Sequence, residues 1–480
     1  MFNCARFSDM NKKILYLVIV LAGILVVPKT LMNGMFMDGQ QYACVAQNMA
    51  EGKGTFWHPY LSETWQKAGS NAFMEHPPLG FFLESIAFRI LGESLYTERI
   101  FSLFLFAFSV VFLLLLIREW PLAQNRKTTL YWIVLLFWMS VPLATWSVQN
   151  NMWENFLVFF GLFSLWLQSR AYNKNRMWLF AIAGLLVSAG FFCKGVPALY
   201  PLAGPLILGF IVFKVNIRNI AIGYGLLFIG LLLPFLFIVQ QAEALDAVKF
   251  YLNERLLFRV QNEPTGNSRW STLSALFNEL LPLLILGLLV YFIYRKKVNF
   301  SANSFFTAAI FLGLSASLPL MVTSVQRGFY LVPAFPWFAL AGAIWFLPFV
   351  EQYLPKSHPK WENRIKWTSL FLSVALILAI VFTAGKPSRD AKILADVDSI
   401  ATITGNNIIL GTPDALLDHW NTQFYFIRFH HISFHCGSTD HSWYLGKKGE
   451  AAPQGFQLHS AFNEYDLFLS TKTLVDDTFN

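Results

Sequence analysis

Long apolar runs recur along the chain and predict membrane-spanning helices. A helix needs about 20 consecutive apolar residues to cross a bilayer. Eleven runs reach or approach that length, at residues 13–33, 96–117, 129–148, 153–169, 177–193, 196–213, 219–239, 274–294, 304–322, 329–350 and 367–384. The first run follows basic residues and has no small-residue cleavage site, so it is interpreted as an anchor.

The polar segments between these runs predict how the chain is oriented across the membrane. Lys and Arg concentrate in alternate short loops, near residues 126, 174, 216, 296 and 360. Basic loops stay in the cytoplasm, so the N-terminus is predicted to be cytoplasmic. The loops 34–95 and 240–273 and the tail are then extracytoplasmic. We predict a transmembrane domain over 1–384, which includes the first outer loop, and an extracytoplasmic soluble domain over 385–480.

The first outer loop has a helical pattern of its own. Tyr42, Val45 and Ala46 recur at helical spacing after Asp38, which predicts a helix lying in the membrane interface. Pro78 suits the first turn of a second short helix, over about 79–91.

The tail changes to a polar composition with short apolar runs at 407–411 and 465–470. Between those runs, Trp420, Phe424 and Ile427 follow helical spacing. The predicted fold class is an all-α polytopic membrane protein with a small C-terminal α/β domain.

Composition narrows the function classes. Of 480 residues, 55% are hydrophobic and 13% are charged, which excludes a single soluble globule and a disordered chain. The net charge of +8 is explained by cytoplasmic loops, so no nucleic-acid partner is predicted. The four cysteines show no C-x-x-C spacing, and neither a disulfide framework nor a zinc ribbon is indicated.

Two polar groups in the first outer loop are candidates for chemistry. Asp38 follows the first span, where it fits either a helix N-cap or a general base at the membrane edge. Glu75 and His76 precede a rigid Pro-Pro turn, and they fit either a solvated loop or a site that orients the substrate.

Basic residues at predicted outer ends are the second set of candidates. They fit phosphate contacts, and the alternatives are a snorkelling lysine, a surface salt-bridge ladder and interfacial anchors. The set consists of Lys194, Arg255, Arg259 and Arg327, with Tyr330 beside the last. Arg255 and Arg259 are four residues apart and would share one helix face.

Histidines crowd together in the tail. Their spacing matches no zinc pattern, so no metal site is predicted there. They are His419, His430, His431, His435 and His441.

Several segments together resemble the GT-C membrane glycosyltransferases. The similarity is to bacterial relatives of dolichyl-phosphate-mannose protein mannosyltransferases and of the aminoarabinose transferase that acts on lipid A. It rests on Met37-Asp38-Gly39-Gln40-Gln41-Tyr42, Phe73-Met74-Glu75-His76-Pro77-Pro78, Phe192-Cys193-Lys194-Gly195, Asn253-Glu254-Arg255 and Tyr330-Leu331-Val332-Pro333. His76 stands where the lipid A enzymes have Lys.

The resemblance implies an inverting transfer of a sugar from a polyprenyl-phosphate donor to an acceptor hydroxyl of a protein, lipid A or a glycan. It implies that Asp38 is the base and that Tyr42, Glu75 and His76 orient the substrates. Lys194, Arg255, Arg259, Arg327 and Tyr330 would bind the donor phosphate. No metal or other cofactor is expected.

The expected location is the bacterial inner membrane, with the tail in the periplasm. Three alternatives stay open: a flippase or transporter of lipid-linked sugars, an oligosaccharyltransferase-like enzyme with a pyrophosphate donor, and a non-catalytic scaffold.

Overall fold

The computed structural model describes residues 2–64, 71–257, 268, 270–300, 302–322, 325–353 and 359–472. Side chains are described from residue 10 onward within these ranges, except at 255 and 256. The α-helices, numbered in chain order, are α1 (Phe2–Thr30), α2 (Met37–Ala50), α3 (Leu79–Leu91), α4 (Thr97–Glu119), α5 (Gln124–Met139), α6 (Pro142–Gln149), α7 (Glu154–Asn173), α8 (Leu179–Lys194), α9 (Gly204–Ile207), α10 (Ile217–Ile238), α11 (Ala242–Phe250), α12 (Ser271–Tyr294), α13 (Ser304–Ser317), α14 (Phe335–Tyr353), α15 (Pro359–Thr383), α16 (Ala391–Thr404) and α17 (Trp420–His430).

Tighter and wider helical turns supplement these helices. The 3₁₀ turns are Val196–Ala203, Leu318–Val322, Gly328–Ala334 and Asp414–Leu416, and the π turns are Leu208–Phe213 and Tyr251–Leu257.

The chain divides into two compact units. The first contains Met1–Leu31 and Ile100–Ala384, and the second contains Met32–Arg99 and Gly385–Asn480. The first outer loop, which was predicted to belong with the spans, falls in the same unit as the tail.

The first unit is that of a multi-pass membrane protein. Among the described residues, eight helical segments are long and apolar enough to cross a membrane, or nine if α5 and α6 form one span bent by 76°. The apolar runs at 153–169 and 177–193 are helical as expected, but α8 has 16 residues and is shorter than a full span. The mostly helical membrane fold is confirmed, and the expected number of eleven spans is not.

Close helix packing fixes the position of α8 between α7 and α10. A Cβ atom on Gly184 would collide with the carbonyl group of Leu227, and one on Gly230 would collide with the carbonyl group of Ala181. Glycine at both positions therefore lets the backbones of α8 and α10 approach each other, and α8 ends at Lys194 in a tightly packed environment.

The second unit contains α2, α3, α16, α17 and a five-stranded sheet with strand order β2-β1-β3-β5-β4. The strands are β1 (Ile409–Thr412), β2 (Ser433–Cys436), β3 (Trp443–Lys447), β4 (Phe456–Ala461) and β5 (Tyr465–Ser470). Strand β1 pairs in parallel with β2 and β3, while β5 pairs antiparallel with β3 and β4. The small sheet domain expected in the tail is confirmed.

Helix α2 is the centre of this second unit. Most of its residues are buried, and it packs against α3 and α17. The Cys44 thiol donates to the Phe424 carbonyl at 3.3 Å, and the Tyr425 hydroxyl bonds to the backbone of Met35 at 3.2 Å. The tail helix α17 therefore holds the helix whose first turn contains Asp38.

Candidate active site

Asp38 lies in the first turn of α2. The helix begins at Met37 with Phe36 at the N-cap position, so Asp38 is the second helical residue and not the N-cap that the sequence pattern suggested. Its side chain is half-buried. A carboxylate in the first turn is favoured by the positive end of the helix dipole. Asp38 therefore lies at the helix end where a carboxylate is electrostatically favoured.

Tyr42 and His76 meet beside this turn. Their Oη and Nε2 atoms are 3.2 Å apart, and their rings are in edge contact at 5.5 Å between centroids. Phe73 and Phe81 complete the aromatic cluster around them. Tyr42 is four residues after Asp38 and so shares a face of α2 with it.

The Pro77-Pro78 turn explains how the imidazole reaches this cluster. Helix α3 begins at Leu79 directly after Pro78, whose φ of −80° suits a helix start. Glu75 and His76, both half-buried, therefore occupy the bend just before α3. The structure brings His76 to Tyr42, although 34 residues separate them in sequence.

In the first unit, Lys194 pairs with Glu154. The Lys194 Nζ and Glu154 Oε1 atoms are 2.7 Å apart, and the two side chains are 7% and 1% exposed. Lys194 ends α8 and Glu154 begins α7, so each charge lies at the helix end whose dipole it complements. The snorkelling interpretation is wrong, because this lysine is buried.

The backbone after Lys194 makes a close contact. Gly195 has φ of +80°, and a Cβ atom there would collide with the hydroxyl group of Tyr251. The Tyr251 ring also lies in edge contact with Phe191 at 6.3 Å. The π turn that begins at Tyr251 is thus held against the end of α8.

That turn contains one of the predicted arginines. Tyr251–Leu257 includes Arg255, of which the backbone is described. Arg259 lies outside the described residues. That Arg255 and Arg259 share one helix face therefore stays a prediction.

Arg327 and Tyr330 lie where the chain enters the 3₁₀ turn Gly328–Ala334. Arg327 is exposed and Tyr330 is half-buried. This turn packs against α6 and α7, and Phe329 stacks on Trp146 at 6.0 Å between centroids. Arg327 directly precedes this turn, and the turn packs against α7, the helix that begins with Glu154, the partner of Lys194.

The polar turn before Glu154 was not predicted from the sequence. Asn150 donates to the Trp146 carbonyl at 2.9 Å, and Asn155 donates to the Met152 carbonyl at 2.9 Å. Gln149 donates to the carbonyl of Leu25 in α1 at 2.9 Å. The signal in the sequence was a run of three amide side chains between two apolar stretches. Burying amide side chains costs free energy unless they are hydrogen-bonded.

The tail histidines separate into different environments. His435 Nδ1 and His441 Nε2 are 2.9 Å apart, while His430 Nε2 is 3.1 Å from Asp398 Oδ1. Burial lowers the pKa of His419, and burial and then the neighbouring His435 lower the pKa of His441. These five histidines do not form one cluster.

Comparison with known proteins gives one family-model match and one fold. Residues 75–239 match the family model described as dolichyl-phosphate-mannose-protein mannosyltransferase. No curated protein matches the chain.

Two solved structures share the architecture over nearly the whole chain. ArnT from Cupriavidus metallidurans bound to undecaprenyl phosphate is 11% identical, with a TM-score of 0.65, and the match covers 95% of this chain and 97% of ArnT. The apo state of the same protein gives 12% identity and a TM-score of 0.55, covering 94% and 96%. At these identities the likeness establishes the fold.

Proposed function

Because the chain has the fold of GT-C membrane glycosyltransferases, which confirms the resemblance found in its motifs, we propose that it is an inverting glycosyltransferase. It moves a sugar from a polyprenyl-phosphate donor to an acceptor hydroxyl on the extracytoplasmic side of the bacterial inner membrane. The observation that carries the proposal is the family match over residues 75–239, a segment that includes His76, Glu154 and Lys194.

The donor class is supported by the solved relative. ArnT was crystallised with undecaprenyl phosphate, which is a polyprenyl chain ending in a monophosphate. A sugar attached to such a phosphate presents a leaving group with one anionic centre at the membrane surface. Lysine and arginine side chains are suited to neutralise that centre.

In the proposed reaction, Asp38 accepts the proton of the acceptor hydroxyl. The carboxylate of Asp38 takes the proton of the acceptor hydroxyl, and the freed oxygen attacks the anomeric carbon of the sugar from the face opposite the phosphate. The carbon–oxygen bond to the phosphate breaks, and the polyprenyl monophosphate leaves with the bonding electron pair. A positioned base of this kind contributes about 10²–10⁴-fold.

The remaining side chains are assigned by their chemistry. Tyr42 and His76, joined at 3.2 Å, hold each other in one orientation and hydrogen-bond substrate hydroxyls together with Glu75. The leaving phosphate is bound by Lys194, Arg255, Arg259, Arg327 and Tyr330. Cations that are fixed before the reaction stabilise the charge as it grows, and this stabilisation needs no divalent metal at the phosphate.

The test compares donors in proteoliposomes that contain the full chain. A radiolabelled sugar on polyprenyl monophosphate should be transferred into an acceptor fraction from bacterial envelopes, and the new glycosidic bond should survive removal of lipid. The double variant Lys194→Met with Glu154→Leu, which removes both buried charges, should abolish transfer. Lys29→Met is the matched control, because Lys29 also ends a helix but is exposed, and it should transfer normally.

Each alternative gives a different result. A flippase would move the lipid-linked sugar between leaflets without forming a new glycosidic bond. An oligosaccharyltransferase-like enzyme would accept the pyrophosphate-linked sugar and not the monophosphate. A scaffold would give neither activity, and any of the three outcomes would overturn the proposal.

A further inference from the structure

Three side chains with metal-binding atoms converge at one point in the second unit. His431 Nε2 lies 3.4 Å from Glu51 Oε1 and 3.9 Å from Glu93 Oε2. Each residue has a ligand atom within 4.8 Å of those of the other two, and within the described part of the chain no other His, Cys, Asp or Glu trio has this spacing. The three residues come from separate turns, which follow α2, α3 and α17.

The hydrogen bonds of Gln47 determine which atom of His431 faces the carboxylates. Gln47 Oε1 accepts from Arg428 Nη1 at 3.0 Å, and a guanidinium has no acceptor, so the amide orientation is fixed. The Gln47 amino group therefore faces His431 Nε2, at 3.3 Å. That nitrogen has a single lone pair, which accepts from Gln47 in the metal-free chain and would pass from Gln47 to a bound cation. The imidazole nitrogen and two carboxylate oxygens surround the same small space, a donor set that suits a cation.

We propose that Glu51, Glu93 and His431 bind a divalent transition-metal ion, with Zn²⁺ as the best fit. Zinc takes imidazole nitrogen and carboxylate oxygen at about 2.0–2.1 Å, and tetrahedral ligands at that distance lie roughly 3.4 Å from each other. The separation between His431 and Glu51 already has this value. The side chain of Glu93 is 62% exposed, and its Oε2 atom has to approach His431 Nε2 by roughly half an ångström to reach the same separation.

Neighbouring charges are compatible with this site. Lys53 pairs with the other oxygen of Glu51, Oε2, at 2.9 Å. Oε1 therefore remains directed at His431 while Oε2 is neutralised. Two carboxylates and a neutral imidazole offer both oxygen and nitrogen ligands, a combination that zinc binds well. Calcium and magnesium prefer oxygen ligands alone.

The position of the site assigns it a structural role. Glu51 directly follows α2, at the opposite end from Asp38, and thirteen helical steps of about 1.5 Å separate them by roughly 20 Å. The ion therefore takes no part in the transfer reaction. His431 directly follows α17, so one ion fastens the first outer loop to the tail.

The experiment uses the full chain, purified in detergent and stripped of metal at pH 7.5. Zinc is titrated while bound metal and the midpoint of thermal unfolding are measured. We expect one zinc ion per chain and a rise in the unfolding midpoint. Glu93→Gln, an exposed position that leaves the fold intact, and His431→Asn should each weaken zinc binding by about tenfold or more. Glu464→Gln and His459→Asn, an exposed glutamate and an exposed histidine elsewhere in the same unit, are the matched controls.

Two results would overturn the proposal. The first is equal zinc binding by the wild-type chain and Glu93→Gln. The second is a chain whose stability does not respond to zinc but changes with the protonation of His431, which is what a simple His–Glu ion pair predicts. Equal stabilisation by calcium would contradict the transition-metal assignment. None of these outcomes depends on glycosyl transfer.

Discussion

Arg428 in the tail and Glu98 at the start of α4 form a buried ion pair, although 330 residues separate them in sequence. The Nη2 and Oε2 atoms are 2.9 Å apart, and the side chains are 1% and 0% exposed. Arg428 also donates to Gln47 in α2 and to the backbone carbonyls of Glu93 and Ser94. One guanidinium thus joins three segments of the second unit.

Replacing Arg428 should destabilise this unit strongly. Arg428→Met leaves the Glu98 carboxylate buried without its cation, which costs about 3–5 kcal/mol. Thermal unfolding and limited proteolysis of the tail measure the effect. Arg389→Met is the control, because the pair of Arg389 with Asp390 is partly exposed and worth about 0–1 kcal/mol. Equal proteolytic resistance of the two variants would show that the buried pair does not hold the unit together.

The Lys194–Glu154 pair allows stability and catalysis to be separated. Lys194→Met alone should destabilise the first unit by about 3–5 kcal/mol, because it leaves Glu154 buried and charged. The double variant Lys194→Met with Glu154→Leu removes both charges and should recover much of the stability. If Lys194 binds the donor phosphate, the double variant should still lack transfer activity. Recovery of both properties would mean that the lysine is structural.

The topology can be tested by labelling single cysteines in a cysteine-free background. Lys174 and Lys448 are exposed, in the turn after α7 and in the tail. The distribution of basic loops predicts that a cysteine at 174 is cytoplasmic and one at 448 is extracytoplasmic. An impermeant maleimide added to intact spheroplasts should therefore label position 448 and not 174. The reverse pattern would place the tail in the cytoplasm.

The tail should lose stability as the pH falls below about 6.5. Burial and the facing His435 lower the pKa of His441 below its ordinary value of 6.5, while Asp440 opposes this shift. The unfolded chain therefore binds this proton more readily than the folded chain, so the contribution of His441 is fully present above pH 6.5 and is lost as the pH falls through the folded pKa. Hydrogen exchange of β2 and β3 at pH 7.5 and 5.5 measures the effect. His441→Asn should show a smaller difference between the two pH values, and an unchanged difference would exclude this residue as its source.

The sequence predicted those features that depend on local patterns. Apolar runs placed the helices α4, α10 and α12, because hydropathy is set by neighbouring residues. Pro78 correctly predicted the start of α3, and the apolar run at 465–470 corresponds to β5. The bend between α5 and α6 was missed, since Pro142 interrupts a stretch whose hydropathy is continuous.

Contacts between distant segments were not predictable from the sequence alone. Nothing near Arg428 indicates Glu98, and nothing near Lys194 indicates Glu154, because each pair forms only when separate elements pack. Asp38 and His76 were candidates from their residue types and positions, and the family resemblance added their roles, whereas the bond between Tyr42 and His76 emerged only from the fold. The sequence pattern therefore lacks the information on how distant segments pack against each other.

The central claim is that Asp38 is the base of the transfer reaction, and Asp38→Asn tests it most directly. The amide keeps the size of the side chain but cannot accept the acceptor proton at neutral pH. With the polyprenyl monophosphate donor in proteoliposomes, the account predicts that the transfer rate falls about 10²-fold or more while the unfolding temperature and donor binding stay at wild-type values. Asp246→Asn, an exposed helical aspartate, serves as the control and should transfer normally. A transfer rate of Asp38→Asn equal to that of the control would contradict the account.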